Sequence, residues 1–194
     1  MRLLLPALVL LCAPLAAQPT GAPDDTPLRE GARALVFQVG PDLTLGGLDG
    51  GTIAYKRHRS ESRALRVGVT VDASAEVDFD NDADRERLLM SATALGLRYR
   101  RTRTPVYLYT GFGPTGQIVA QRADSGAGAS TSVVDLSLGL AGVVGVEWVV
   151  AEAIGITGEY GQALLVGGRI GDGGDALRLD LRPRGARLGV SVYF

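Results

Sequence analysis

From Val134 to Val149 the chain alternates with a period of two over sixteen residues. Val134, Leu136, Leu138, Leu140, Gly142, Val144, Val146 and Trp148 form one set. Asp135, Ser137, Gly139, Ala141, Val143, Gly145, Glu147 and Val149 form the other. Successive side chains of a strand point to opposite faces, so this pattern describes a strand whose two faces meet different surroundings. Length argues against the alternative, a transmembrane helix. The charge-free run Leu136 to Val146 has 11 residues, against roughly 17–25 for a helical span.

The same split recurs along the chain. Leu65, Val67, Val69 and Val71 oppose Arg66, Gly68, Thr70 and Asp72. Thr93, Leu95, Leu97 and Tyr99 oppose Ala94, Gly96, Arg98 and Arg100, and Val106, Leu108 and Phe112 oppose Tyr107, Tyr109, Gly111 and Gly113. Ile154, Ile156 and Tyr160 oppose Gly155, Thr157, Glu159 and Gly161; Leu188, Val190, Val192 and Phe194 oppose Arg187, Gly189, Ser191 and Tyr193. With Leu35–Val39 and Ile53–Tyr55 this predicts eight strands, near 33–45, 51–59, 63–79, 88–101, 104–121, 132–149, 153–169 and 176–194, the last open to a break at Pro183. No amphipathic helix competes after residue 31.

The face opposite the apolar one mixes Gly, Ala and Ser with single charges of both signs. A soluble β-sandwich would expose Lys, Glu, Thr and Asn there. A narrow barrel lumen needs small residues where it is tight and paired charges elsewhere. The expected interior charge network is Lys56, Arg66, Arg98, Arg100 and Arg187 against Asp72, Asp135, Glu147 and Glu159. Buried charges left unpaired cost several kcal/mol each, so the near balance is significant. The apolar face then meets lipid. In hydrocarbon every backbone N–H and C=O must be paired within the protein, and strands achieve this by closing into a barrel. The predicted fold is therefore all-β: an eight-stranded antiparallel up-and-down transmembrane β-barrel with an interior filled by side chains rather than an open pore.

Connection lengths orient it. The gaps Ser60–Ser62, Thr102-Arg103 and Val150–Glu152 are short; Asp80–Arg87, Arg122–Thr131 and Gly171–Asp175 are longer and polar, and Gly46–Gly50 is tighter than this scheme expects. Short periplasmic turns and longer outer loops make odd strands run outward. On the lipid face of the even strands Tyr55, Tyr99, Trp148 and Phe194 form an expected aromatic girdle at the inner interface.

Residues 1–17 read as a signal peptide. Met1-Arg2 is followed by an apolar run from Leu3 to Leu15 and the small residues Ala16-Ala17, with cleavage before Gln18. Cys12 follows Leu11 rather than a small residue, which argues against lipidation. Residues 18–30, with Pro19, Pro23 and Pro27, read as a flexible leader, and 31–194 as the barrel domain.

Composition excludes other classes. Lys+Arg number 20 against 21 Asp+Glu, leaving no basic excess for nucleic acid. One Cys and one His argue against a zinc site. The 27 glycines are about twice average usage and imply many tight turns or close backbone approaches.

The carboxyl-terminal Leu188–Phe194, the runs Gly145-Val146-Glu147-Trp148, Ile154-Gly155-Ile156 and Gly158–Gly161, and Tyr107–Tyr109 leading to Gly111–Pro114 together resemble the small eight-stranded bacterial outer-membrane barrels, the OmpX/OmpA-transmembrane-like porin-family barrels. That resemblance implies the bacterial outer membrane as the location. It implies outer-membrane lipids as surroundings, and recognition by the assembly machinery through a last strand ending in Phe194. It implies a structural or interaction role for a monomer; no peptidoglycan-binding domain and no long adhesive loops accompany the barrel sequence.

Other chemistry is weaker. A lipid-modifying hydrolase needs His58 beside a serine and a third group; Ser60 and Ser62 are close in sequence but lack an elbow motif, so no catalytic residue is assigned. The acidic stretch 78–84 offers four carboxylates at spacing two, a set suited to Ca²⁺ or Mg²⁺, but it fails the EF-hand pattern, since Ala83 replaces the turn glycine and Leu89 the closing Glu; it reads as a solvated loop, with divalent-cation binding the alternative, and no metal or cofactor is assigned. Gly171–Asp175 reads as a hairpin loop. Arg101, Arg103 and Lys56-Arg57 read either as ligands of lipid headgroups or as ordinary turn charges. The alternatives to a closed barrel are a small-solute or ion channel, a barrel enzyme and a soluble lipocalin-like barrel.

Overall fold

The computed structural model describes residues 28–40, 51–78, 83–103, 105–125, 129–171 and 176–194. The signal segment, most of the leader and most of the acidic stretch 78–84 lie outside the described residues. Eight strands follow in order: β1 (Arg33–Val39), β2 (Gly51–Ser60), β3 (Arg63–Asp78), β4 (Ala83–Arg103), β5 (Val106–Ser125), β6 (Ala129–Ala151), β7 (Ile154–Gly171) and β8 (Ala176–Tyr193). Each pairs antiparallel with its sequence neighbours, and β1 pairs with β8, so the sheet closes into a barrel. Closure leaves no free edge.

The outward face carries the oily residues. Val67, Val69, Leu136, Leu138, Val144, Val146, Leu164 and Val166 are all exposed, Leu138 to 66%. A soluble barrel has the opposite polarity. Strands β4, β5 and β6 contain 21, 20 and 23 residues, about twice the 9–11 that a bilayer span requires.

Strand extension corrects the expected loops. β4 already begins at Ala83, β5 continues to Ser125 and β6 begins at Ala129. Much of Asp80–Arg87 and Arg122–Thr131 is thus paired strand, because Glu76, Arg85, Arg122 and Ser132 continue the ladder although their side chains are polar. β1 in turn ends at Val39.

All three short hairpins share one device. The register shifts by one residue between His58 and Ser60, between Arg101 and Arg103, and between Val149 and Ala151. Each strand entering a short turn therefore carries a β-bulge. At the second, the Thr102 hydroxyl donates to the Val106 carbonyl oxygen at 3.0 Å, bracing the extra residue.

Pro183 does not break β8. The ladder with β7 passes from Gly161↔Gly185 to Gln162↔Pro183, leaving Arg184 as the additional residue. Gly185 has φ 71°, a left-handed conformation that costs an L residue about 1–2 kcal/mol and glycine almost nothing. Proline inside a sheet is tolerated at such bulges.

Leu28, assigned to the leader by its sequence, is fully buried, and the turn is tied to the barrel where Gly31 N–H donates to the His58 carbonyl at 3.0 Å. Leu28 thus packs with the buried hydrophobic residues of the barrel.

A polar network across the lumen

The lumen is built in two layers. Nearest the short turns, Lys56 of β2 reaches across to Glu147 of β6, its Nζ donating to Oε1 at 2.8 Å and Oε2 at 2.9 Å. Nζ also donates to the Tyr193 oxygen at 2.7 Å and to Ser191 Oγ at 3.3 Å. The hydroxyls of Tyr193 and Tyr99 donate back to Glu147 at 2.7 and 3.0 Å. The ammonium lies 4.7 Å from the Tyr193 ring centroid, within cation–π range. The side chains of Lys56 and Glu147 are 2% and 0% exposed. A Cβ on Gly155 would stand 2.8 Å from Glu147 Oε1, so glycine at that site is what lets the carboxylate occupy its place.

In the next layer Arg66 of β3 meets Glu159 of β7. The two contacts, 2.6 and 2.9 Å, join separate nitrogens to separate oxygens in a bidentate fork. The Tyr109 hydroxyl donates to Glu159 at 2.9 Å. In a ring of eight strands β2 faces β6 and β3 faces β7. Both ion pairs are therefore crossbars spanning the lumen.

The structure places the predicted interior charges unequally. Lys56, Arg66, Glu147 and Glu159 are buried and brought together as two pairs. Arg187 is half-buried and donates to Thr52 Oγ1 at 3.2 Å. Asp72 and Asp135 are half-buried on the lumen-facing rows of β3 and β6 but join neither crossbar; Asp135 lines a hollow with Arg178, Asp180 and Arg182 at the end opposite the short turns.

Arg98 and Arg100 are a correction: both face outward and are exposed. Tyr99, expected in the girdle, is likewise corrected, for it is buried in the lumen beside Tyr109, ring centroids 5.2 Å apart. The bulge at Thr102 supplies the reason. It sets Tyr99 opposite Tyr109 and Arg98 opposite Thr110, and a one-residue change of register turns every side chain to the other face. Leu95 and Leu97 consequently line the interior as well. Tyr55, Trp148 and Phe194 do face outward.

Sequence reasoning missed Tyr193 and Tyr99 as partners of the first crossbar, Tyr109 as partner of the second, and Arg184. The signal for Arg184 was Pro183-Arg184-Gly185, a proline and glycine flanking one residue inside a strand, which marks a bulge and a change of phase.

His58 lies in the lumen between Tyr99 and Tyr193, at centroid distances of 5.1 and 6.1 Å, and its nitrogens make no side-chain hydrogen bond. Ser60 and Ser62 instead approach each other at 3.4 Å. The three residues do not form a nucleophile–base pair. Among the described residues no group of His, Cys, Asp and Glu is arranged to hold a metal ion.

No protein-family model matches the chain, and no curated protein sequence matches it. Among solved structures the barrel is similar to the attachment invasion locus protein Ail of Yersinia pestis, with 15% identity and a TM-score of 0.51, covering 85% of this chain and 99% of that one. It is also similar to a major outer membrane protein of Thermus thermophilus, with 14% identity and a TM-score of 0.59, covering 84% and 99%. The chain thus has the fold of the small outer-membrane β-barrels, as its sequence resemblance implied.

Proposed function

We propose that the protein is a non-enzymatic integral outer-membrane barrel, monomeric, of structural or interaction type, whose lumen is closed to solutes. The observation that carries this reading is the pair of crossbars. Lys56–Glu147 and Arg66–Glu159 each join strands on opposite sides of the ring. Tyr99, Tyr107, Tyr109, Leu95 and Leu97 fill the space around them. An open path would require breaking two buried ion pairs, and each broken pair leaves a charge without its partner.

Lipid is the natural surrounding for the apolar exterior, and the outward arginines favour an anionic interface at the short-turn end. Arg33 stands directly opposite Arg57, and Arg63 opposite Arg98. Like charges so placed repel. Phosphate headgroups would neutralise them while the long side chains extend from the apolar belt. β8 and the residue after it, with Leu188, Val190, Val192 and Phe194 outward, suit recognition by the outer-membrane assembly machinery.

Planar-bilayer recording tests the closed lumen. The purified barrel is expected to give no steady openings. Discrete, reproducible conductance steps that disappear in a heat-unfolded control would replace this reading with the channel alternative.

A further inference from the structure

The second crossbar leaves a surplus of positive charge in the middle of the lumen. Three guanidinium groups, Arg66, Arg184 and Arg187, line one small cavity, and Glu159 is the one carboxylate lining it among the described residues. That carboxylate already takes both contacts from Arg66 and the hydroxyl of Tyr109. Arg184 donates to threonines, Nη1 to Thr93 Oγ1 at 2.9 Å and Nη2 to Thr115 Oγ1 at 2.7 Å. Arg187 donates to Thr52. Threonine hydroxyls accept a hydrogen bond but cancel no charge, and Glu159, the cross-strand neighbour of Arg187, is a single carboxylate shared among three guanidinium groups.

A second observation is independent of charge. Gln38 lines the same cavity, is 3% exposed, and its Nε2 has no hydrogen-bond partner among the described residues. The Thr157 hydroxyl, also unpartnered, is its neighbour: both crowd the position where a side chain on Gly189 would begin. Buried polar groups are nearly always satisfied, and an orphaned donor calls for an occupant. The cavity measures about 20 Å³, which exceeds the roughly 10–15 Å³ that a single water-sized occupant needs.

We propose that this mid-lumen cavity, bounded by Arg66, Arg184, Arg187, Gln38 and Thr52, is a binding site for one small inorganic anion of chloride size. The anion would accept from the amide of Gln38 and from guanidinium nitrogens not already engaged by threonine. It would offset the surplus charge left by the Arg66–Glu159 pair. Polyatomic organic anions are too large for the space. The bulge at Pro183–Gly185 creates the site, because it brings Arg184 inward on the same strand as Arg187. The proposal stands whether or not the lumen conducts.

Two measurements test it. Crystals of the detergent-solubilised barrel grown in sodium bromide should show an anomalous peak in the cavity. Urea unfolding in micelles should show a saturable rise in midpoint with sodium chloride at an ionic strength held constant with sodium gluconate. Arg187→Gln and Arg184→Gln should each weaken the apparent chloride affinity at least tenfold, and each should be the more stable form relative to wild type in gluconate alone. A folded barrel is verified beforehand by its heat-modifiable gel mobility. The absence of a bromide peak in the cavity overturns the proposal. So does a chloride response that is non-saturable or identical in wild type and both variants.

Discussion

Replacing Glu147 by glutamine removes one charge from a site with nearly no water. Lys56 and Glu147 are 2% and 0% exposed, so solvent screening gives little relief. The carboxylate accepts four hydrogen bonds at 2.7–3.0 Å, two from Lys56 and one each from Tyr99 and Tyr193. A glutamine keeps the shape but has a single acceptor oxygen, and its amide group directs N–H bonds at a lysine that can only donate. Breaking a buried pair from one side typically costs about 3–5 kcal/mol. We expect Glu147→Gln to fall in that range. The double variant Lys56→Met/Glu147→Gln removes the stranded ammonium too and should cost less than the single change. Reversible urea unfolding in lipid vesicles measures both. The single tryptophan of the chain, Trp148, is adjacent to Glu147 and faces outward, so its emission reports loss of the lipid contact. A cost for Glu147→Gln below about 1 kcal/mol, or a double variant equal to the sum of the singles, would refute the crossbar as a coupled buried pair.

Other outcomes follow from the same geometry. Gly185→Ala should destabilise the barrel by about 1–2 kcal/mol through its left-handed backbone, read from the same unfolding midpoint; an unchanged midpoint would mean that the bulge is dispensable. Val144→Arg, near the centre of the outward apolar row that β6 presents from Val134 to Val150, should cost about 2–4 kcal/mol in vesicles, while Arg98→Leu near the short-turn end should change stability by about 1 kcal/mol or less. Equal effects at the two positions would contradict the placement of the apolar belt. Deleting Phe194 should reduce assembly in cells, measured by the folded fraction in outer-membrane preparations, with little effect on refolding of the purified chain into detergent. A matching loss in both assays would make the residue structural rather than a recognition signal.

The face assignments show where a sequence pattern is sufficient and where it fails. On β6 the alternation from Val134 to Trp148 runs unbroken, and the outward row is the apolar one. On β4 both rows offer a plausible inside. Leu95, Leu97 and Tyr99 are apolar enough for lipid, while Arg98 and Arg100 are charged enough for a lumen. Apolarity therefore pointed the wrong way, and the extra residue at Thr102 decided the phase. β8 poses the same difficulty, since Arg182 and Arg187 lie on rows of opposite parity that the bulge at Arg184 reconciles. Lys56, Arg66, Glu147 and Glu159 were legible as interior residues, but which partner each takes was not. Pairing across a lumen joins strands four apart, and local periodicity contains no information about that distance.

Read by itself, the amino-acid order determined that this chain forms eight antiparallel strands with an oily exterior, because a period of two is a local property repeated along each strand. The bulges that rotate β4 and β8, the inward turn of Tyr99, the pairing across the lumen and the surplus of arginine around Glu159 were decided only by tertiary structure. Those features depend on register between strands, and register is settled jointly by hydrogen-bonded neighbours and the small volume they enclose.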